Sequence, residues 1–118
     1  MGKLTTHVLD TANGCPAAGM RVVLSRRDDG GATTQLKAFA LNADGRADAP
    51  LLEGEALQRG RYRLLFSVGT YFASRGDMLA DPPFLDEVPI DFAIASPDQH
   101  YHVPLLASPW AYSTYRGS

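Results

Sequence analysis

The residues that could carry chemistry in this chain are three histidines, His7, His100 and His102, one arginine set on a turn, Arg46, and a C-terminal run rich in aromatic and hydroxyl groups, residues 108–118. An imidazole titrates near pH 6.5, about the only unperturbed side chain that both takes and gives a proton near neutrality, so His7 and His102 are candidates for general acid–base work. Arg46 carries a planar fork of donors that suits carbonyl oxygens or anions. Each also has a bland reading: outward histidines on a sheet are commonly solvated, and Arg46 could be an exposed strand-start residue. The spacing His100-x-His102 puts two rings on one side of a strand and could begin a metal site. No cysteine cluster or paired carboxylate completes the three or four ligands that zinc takes, so no metal is expected. Cys15 stands alone and reads as a small, partly covered residue. No G-x-S-x-G elbow surrounds Ser113 or Ser118, and Gly30-Gly31 lacks the lysine and helix of a phosphate loop.

The elements that must hold these groups are short strands separated by turn signals. Residues 4–9 form a first strand in which Thr5, His7 and Leu9 share one face and Thr6, Val8 and Asp10 the other. If Val8 is the core residue, His7 faces outward. Residues 10–19 contain Asn-Gly, Cys-Pro and a further glycine and read as a loop; residues 20–25 form a second strand. Residues 33–41 alternate with modest contrast, and 42–45 (Asn-Ala-Asp-Gly) make the turn that delivers Arg46. Residues 54–59 are helix-permissive. Residues 61–68 (RYRLLFSV) are the clearest central strand. Residues 70–75 form one or two helical turns that need packing from Tyr71 or Phe72. Residues 87–93 form a strand that Pro89 marks as an edge. In residues 100–107, His100, His102 and Pro104 oppose the more apolar Tyr101, Val103 and Leu105, which puts His102 on the outer side. Residues 112–115 close the chain as a last strand. About seven or eight strands with at most one short helix predict an all-β, two-sheet antiparallel β-sandwich.

Composition narrows the classes. The chain has 118 residues, the size of a single domain, with 45% hydrophobic and 20% charged residues. A net charge of −2 argues against a broad grip on nucleic acid. No apolar run approaches the ~20 residues of a membrane helix, and the N-terminus MGKLTTHVLD has no apolar leader segment. One cysteine allows no internal disulfide and fits a reducing compartment. A cytoplasmic protein without nucleic-acid or membrane partners is expected. The last residues are unusually aromatic for a terminus, with Trp110, Tyr112 and Tyr115 close together. They read as a strand anchored in the core, an aromatic interface, or both.

Three separated segments then carry a resemblance. They are LTTHVLD at 4–10 with Gly14 and Pro16-Ala17; Asn42-Ala43-Asp44-Gly45-Arg46; and His100-Tyr101-His102-Val103-Pro104-Leu105-Leu106 with Ser108-Pro109 and the terminal Tyr115-Arg116-Gly117-Ser118. On these the chain resembles the transthyretin-like 5-hydroxyisourate hydrolases over nearly its whole length. The resemblance implies a single transthyretin-like domain over residues 1–118, a homotetramer with active sites at a subunit interface, and no cofactor or metal. It implies hydrolysis of 5-hydroxyisourate to 2-oxo-4-hydroxy-4-carboxy-5-ureidoimidazoline in urate (purine) catabolism. His7, Arg46 and His102 would be catalytic, and His7, Arg46, Tyr115 and Ser118 would bind substrate. The alternative is a non-enzymatic small-molecule carrier of the transthyretin type. That carrier resembles this chain less at the motif positions, having Lys, Glu and Thr in place of His7, Arg46 and His102 and lacking the terminal tetrapeptide. A structural or adhesive sandwich, monomeric with freely exposed histidines, is the third class.

Overall fold

Alternation of apolar and polar side chains decides which side of each strand is covered, and the chain follows that rule on both sides of its core. The computed structural model describes residues 1–76 and 79–117. In chain order the elements are β1 (Lys3–Asp10), β2 (Cys15–Pro16), β3 (Arg21–Arg27), β4 (Thr33–Ala40), β5 (Leu52–Glu53), a 3-10 turn (Gly54–Ala56), β6 (Gly60–Phe66), α1 (Val68–Ser74), β7 (Val88–Ile94), β8 (Tyr101–Ala107) and β9 (Tyr112–Thr114). One sheet has the order β2-β1-β8-β9, with β5 also paired to β1; the other has the order β4-β3-β6-β7.

The two sheets face each other across one apolar core. From the first come Leu4, Val8, Tyr101, Val103 and Leu105; from the second come Val22, Leu24, Tyr62, Leu64, Phe66 and Val88. β1 alternates as its sequence predicts: Leu4, Thr6, Val8 and Asp10 are buried, while Thr5 and His7 are half-covered and Leu9 is exposed. The buried Thr6 hydroxyl donates to the Val103 carbonyl at 2.7 Å, which satisfies that polar group within the core. β7 lies at the edge of its sheet, the position Pro89 requires because it has no N–H for a further ladder. β4 is the opposite edge and is almost wholly exposed, which explains its weak contrast.

The two-sheet sandwich and, among the described residues, one short α-helix stand as expected. One ladder does not: β1 and β8 run parallel, with Thr5 beside His102 and His7 beside Pro104 in register, while the other ladders among the described residues are antiparallel. The chain between these two strands builds the entire opposite sheet, so its connection far exceeds the dozen or so residues that a parallel crossover needs. β5, only two residues long, was not expected.

α1 is too short to hold itself. Tyr71 and Phe72 are buried, and the Tyr71 hydroxyl donates to Asp10 Oδ2 at 2.8 Å. Gly69 lets the helix approach its neighbours, since a Cβ there would sit 2.7 Å from the Leu85 carbonyl oxygen.

Candidate active site

The outer face of the first sheet carries the histidines. His7 comes from the middle of β1 and His102 from the start of β8, each half-covered. The parallel register sets the Thr5 and His102 side chains alongside each other, and Thr5 Oγ1 lies 2.8 Å from His102 Nδ1.

Arg46 reaches this face through its turn. Asn42 organises it: its side-chain oxygen accepts from the Asp44 and Arg46 amides at 2.9 and 3.1 Å, and its carbonyl accepts from the Gly45 amide at 2.9 Å. Gly45 then lies against β1, its carbonyl accepting from the Val8 amide at 2.9 Å. Two facts require glycine there: its φ is +73°, and a Cβ would stand 2.5 Å from the Val8 carbonyl oxygen. The next residue, Arg46, forms a β-bridge with His7. His7, Arg46 and His102 are thus brought together from three distant segments.

The electrostatics of the cluster favour neutral imidazoles. His7 sits below the usual histidine pKa because burial disfavours its charged form and the Arg46 guanidinium repels a proton; the Asp44 backbone and carboxylate act the other way. His102 is lowered by burial, then by Arg46, then by His7. Two neutral rings beside a fixed cation can take protons and hold developing negative charge. A cleft of about 190 Å³ opens beside them, lined by Thr5, Thr6, Arg46, Ala47, Asp48 and Ala49 among others. The histidines border the open sheet face rather than this cleft.

Tyr115, expected at the site, lies apart from this cluster within one chain. Tyr115 is exposed and lines a second cavity of about 230 Å³ between the edges of the two sheets, with Ile90, Phe92 and Tyr101. Ser118 lies outside the described residues. His100 is exposed and outside the cluster. Among the described residues no three His, Cys, Asp or Glu side chains are grouped to hold a metal ion. Gly117 does reach the cluster, its backbone pairing with His102, Gly117 N–H to His102 O at 2.8 Å. The sequence placed Thr5 on the face of His7 and Gly117 in the terminal motif but gave neither a role at the site. Thr5 shares the face of His7 by strand alternation, a signal that was present; its partner 97 residues away gave none.

Comparison with known proteins gives the family of the chain. The chain is 57% identical over 117 residues to a 5-hydroxyisourate hydrolase of Mesorhizobium japonicum, covering 99% of this chain and 93% of that one. The solved structure of Klebsiella pneumoniae 5-hydroxyisourate hydrolase matches at 38% identity and a TM-score of 0.80, covering all of both chains. A crystal structure of (S)-allantoin synthase matches at 50% identity and a TM-score of 0.93 over 99% of this chain, which spans 44% of the length of that one. The HIUase/Transthyretin family matches residues 4–117, a span that takes in His7, Arg46, His102 and Gly117. With the two-sheet sandwich and the His–Arg–His face already in place, the chain belongs to the HIUase/Transthyretin family.

Proposed function

We propose that the protein is a hydrolase that opens the ring of 5-hydroxyisourate in purine catabolism, giving 2-oxo-4-hydroxy-4-carboxy-5-ureidoimidazoline. The observation that carries this reading is the meeting of His7 and His102 beside Arg46 on one sheet face, where burial and the Arg46 charge lower both imidazoles below the usual histidine value. Water attacks a ring carbonyl, the C–N bond breaks, the water oxygen ends in a carboxylate and the freed nitrogen takes a proton. His7 and His102 activate the water and move the proton. Arg46 binds the substrate carbonyls and offsets the negative charge that develops on oxygen. Ser118 and Tyr115 orient the substrate through their hydroxyl groups, Tyr115 doing so from a neighbouring subunit, since within one chain it lies apart from the cluster. The scheme needs no metal or cofactor.

The working form is a homotetramer with its sites at a subunit interface. Support comes from the aromatic groups left exposed on and beside β9: Trp110, Tyr112 and Tyr115 are 68%, 46% and 61% exposed, more apolar surface than a free strand end should carry. The sole cysteine suits the cytoplasm. No helix among the described residues is long and apolar enough to cross a membrane.

The test is loss of ultraviolet absorbance from freshly generated 5-hydroxyisourate, with spontaneous decay as the blank. Wild type should be fast, and His7→Ala and His102→Ala should each lose roughly 10²–10⁴-fold. Blank-level decay with a folded, tetrameric wild type would overturn the hydrolase reading in favour of a small-molecule carrier.

A further inference from the structure

An imidazole has two flanks and a free end. The flanks are Nδ1 and Cδ2, either side of the attachment carbon; the free end is Nε2 with Cε1. In His102 both flanks are occupied. Thr5 Oγ1 sits 2.8 Å from Nδ1. On the other flank Gly117 is so close that a Cβ would stand 2.8 Å from His102 Cδ2 and 3.1 Å from its Cβ. The backbone of Gly117 is fixed there by its pairing with His102. Thr5 is equally fixed, as the in-register neighbour of His102 on β1. The ring therefore cannot turn freely, and the end it presents to the open sheet face is Nε2.

We propose that Thr5 is a positioning residue for the reaction: it accepts a hydrogen bond from His102 Nδ1–H, so that Nε2 stands unprotonated as the nitrogen that handles the substrate's proton. This rests on the hydrolase reading above for its catalytic consequence, but not for the geometry. A neutral imidazole carries one N–H and one lone pair, and whichever partner holds one nitrogen decides the other. The charged and titratable groups bearing on His102 are Arg46 and His7. Both disfavour a second proton on the ring. Arg116, next to Gly117, is turned away: its guanidinium stacks 4.1 Å over the Tyr101 ring and donates to the Gln99 side-chain oxygen and the His100 carbonyl. The Nδ1 flank has only a hydroxyl to meet, and a hydroxyl can accept.

The experiment is long-range ¹H–¹⁵N correlation of the histidine rings in wild type, Thr5→Val and Thr5→Ser, with kcat and KM measured on the same samples. Valine keeps the shape and strand preference of threonine without the hydroxyl. The expected wild-type signature is a protonated Nδ1 and a bare Nε2 at His102. Thr5→Val should mix the two tautomers, lower kcat about tenfold, the rate equivalent of one ordinary hydrogen bond, and leave KM and the melting temperature nearly unchanged. Thr5→Ser should restore both signature and rate. A wild-type His102 protonated on Nε2, or a Thr5→Val protein with unchanged tautomer and kcat, overturns the proposal. A loss of melting temperature with unchanged kcat would make Thr5 a structural cross-strand partner only, and also overturns it. A wild type inert on 5-hydroxyisourate but carrying the expected signature counts against the hydrolase reading alone and upholds the positioning of Nε2 by Thr5.

Discussion

At the scale of single residues, the charge of Arg46 has two sides: in the proposed reaction it would meet the substrate, and it adds to burial in lowering the pKa of both histidines. The second can be measured alone. His7 and His102 titrate below the ordinary imidazole value, burial being the larger cause and Arg46 the next. The rate should therefore hold as pH falls through about 6.5, where a free imidazole is half protonated, and drop only below it. Arg46→Gln removes the repulsion and leaves the burial. Both histidine midpoints should then move up, and any residual activity should lose its acid limb at a higher pH. Titration of the histidine ring protons in the folded variant reads this without substrate; unmoved midpoints would remove Arg46 from the electrostatics of the cluster. Much of this site was legible in the sequence. Alternation along β1 and β8 turned His7 and His102 outward, and the turn at 42–45 announced Arg46. The meeting of the three was legible only through the family resemblance and not from the local pattern, because it depends on Gly45 pressing against Val8 and on β1 lying beside β8, neither of which leaves a local trace.

Among the elements, α1 shows how a short helix is held by something outside itself. Its seven residues have no side-chain N-cap, and its last turn is tied to the end of β1 through Asp10. That carboxylate is buried, which alone would raise its pKa. Hydrogen bonds from the Asn13 side chain and backbone and from Tyr71, with the charge of Arg75 at 3.5 Å, outweigh the burial and hold it below the ordinary carboxylate value. A group whose folded pKa is depressed contributes stability that is present at neutral pH and lost as pH falls through the folded value. Tyr71→Phe deletes one donor to the buried charge. It should lower unfolding free energy by about 1.5–3 kcal/mol, the range for a hydrogen bond to an ionised group, at pH 7, and by less in acid where Asp10 is protonated. Urea unfolding at two pH values checks both parts, and equal stability of variant and wild type at pH 7 would dismiss the tether. The sequence did show that residues 70–75 wanted Tyr71 or Phe72 as packing, and both are buried. It did not show Asp10 as the anchor, since an aspartate after a strand reads equally well as turn chemistry. Nor could it show the parallel ladder, because direction is set by which strands meet and not by any one strand's pattern.

For the whole molecule, the issue is whether one chain encloses a site. The cleft beside Arg46 is about 190 Å³, below the roughly 300–1,000 Å³ of ordinary ligand pockets, and His7 and His102 stand on an open face beside it. An open face cannot exclude water from a charge-stabilising cluster, and exclusion is what gives such clusters their strength. A second copy could supply the missing wall, and the exposed Trp110, Tyr112 and Tyr115 offer the contact surface. Assembly and turnover should therefore be linked. Sedimentation velocity over a dilution series, with the rate per chain measured at each concentration, should show constant turnover while the particle is four times the 12.7 kDa chain, and falling turnover as smaller species appear. Trp110→Asp should shift both transitions to higher concentration together, while the circular dichroism of the fold is retained. If a 12.7 kDa species turns substrate over at the full rate, the site is complete within one chain and the aromatic surface serves some other contact.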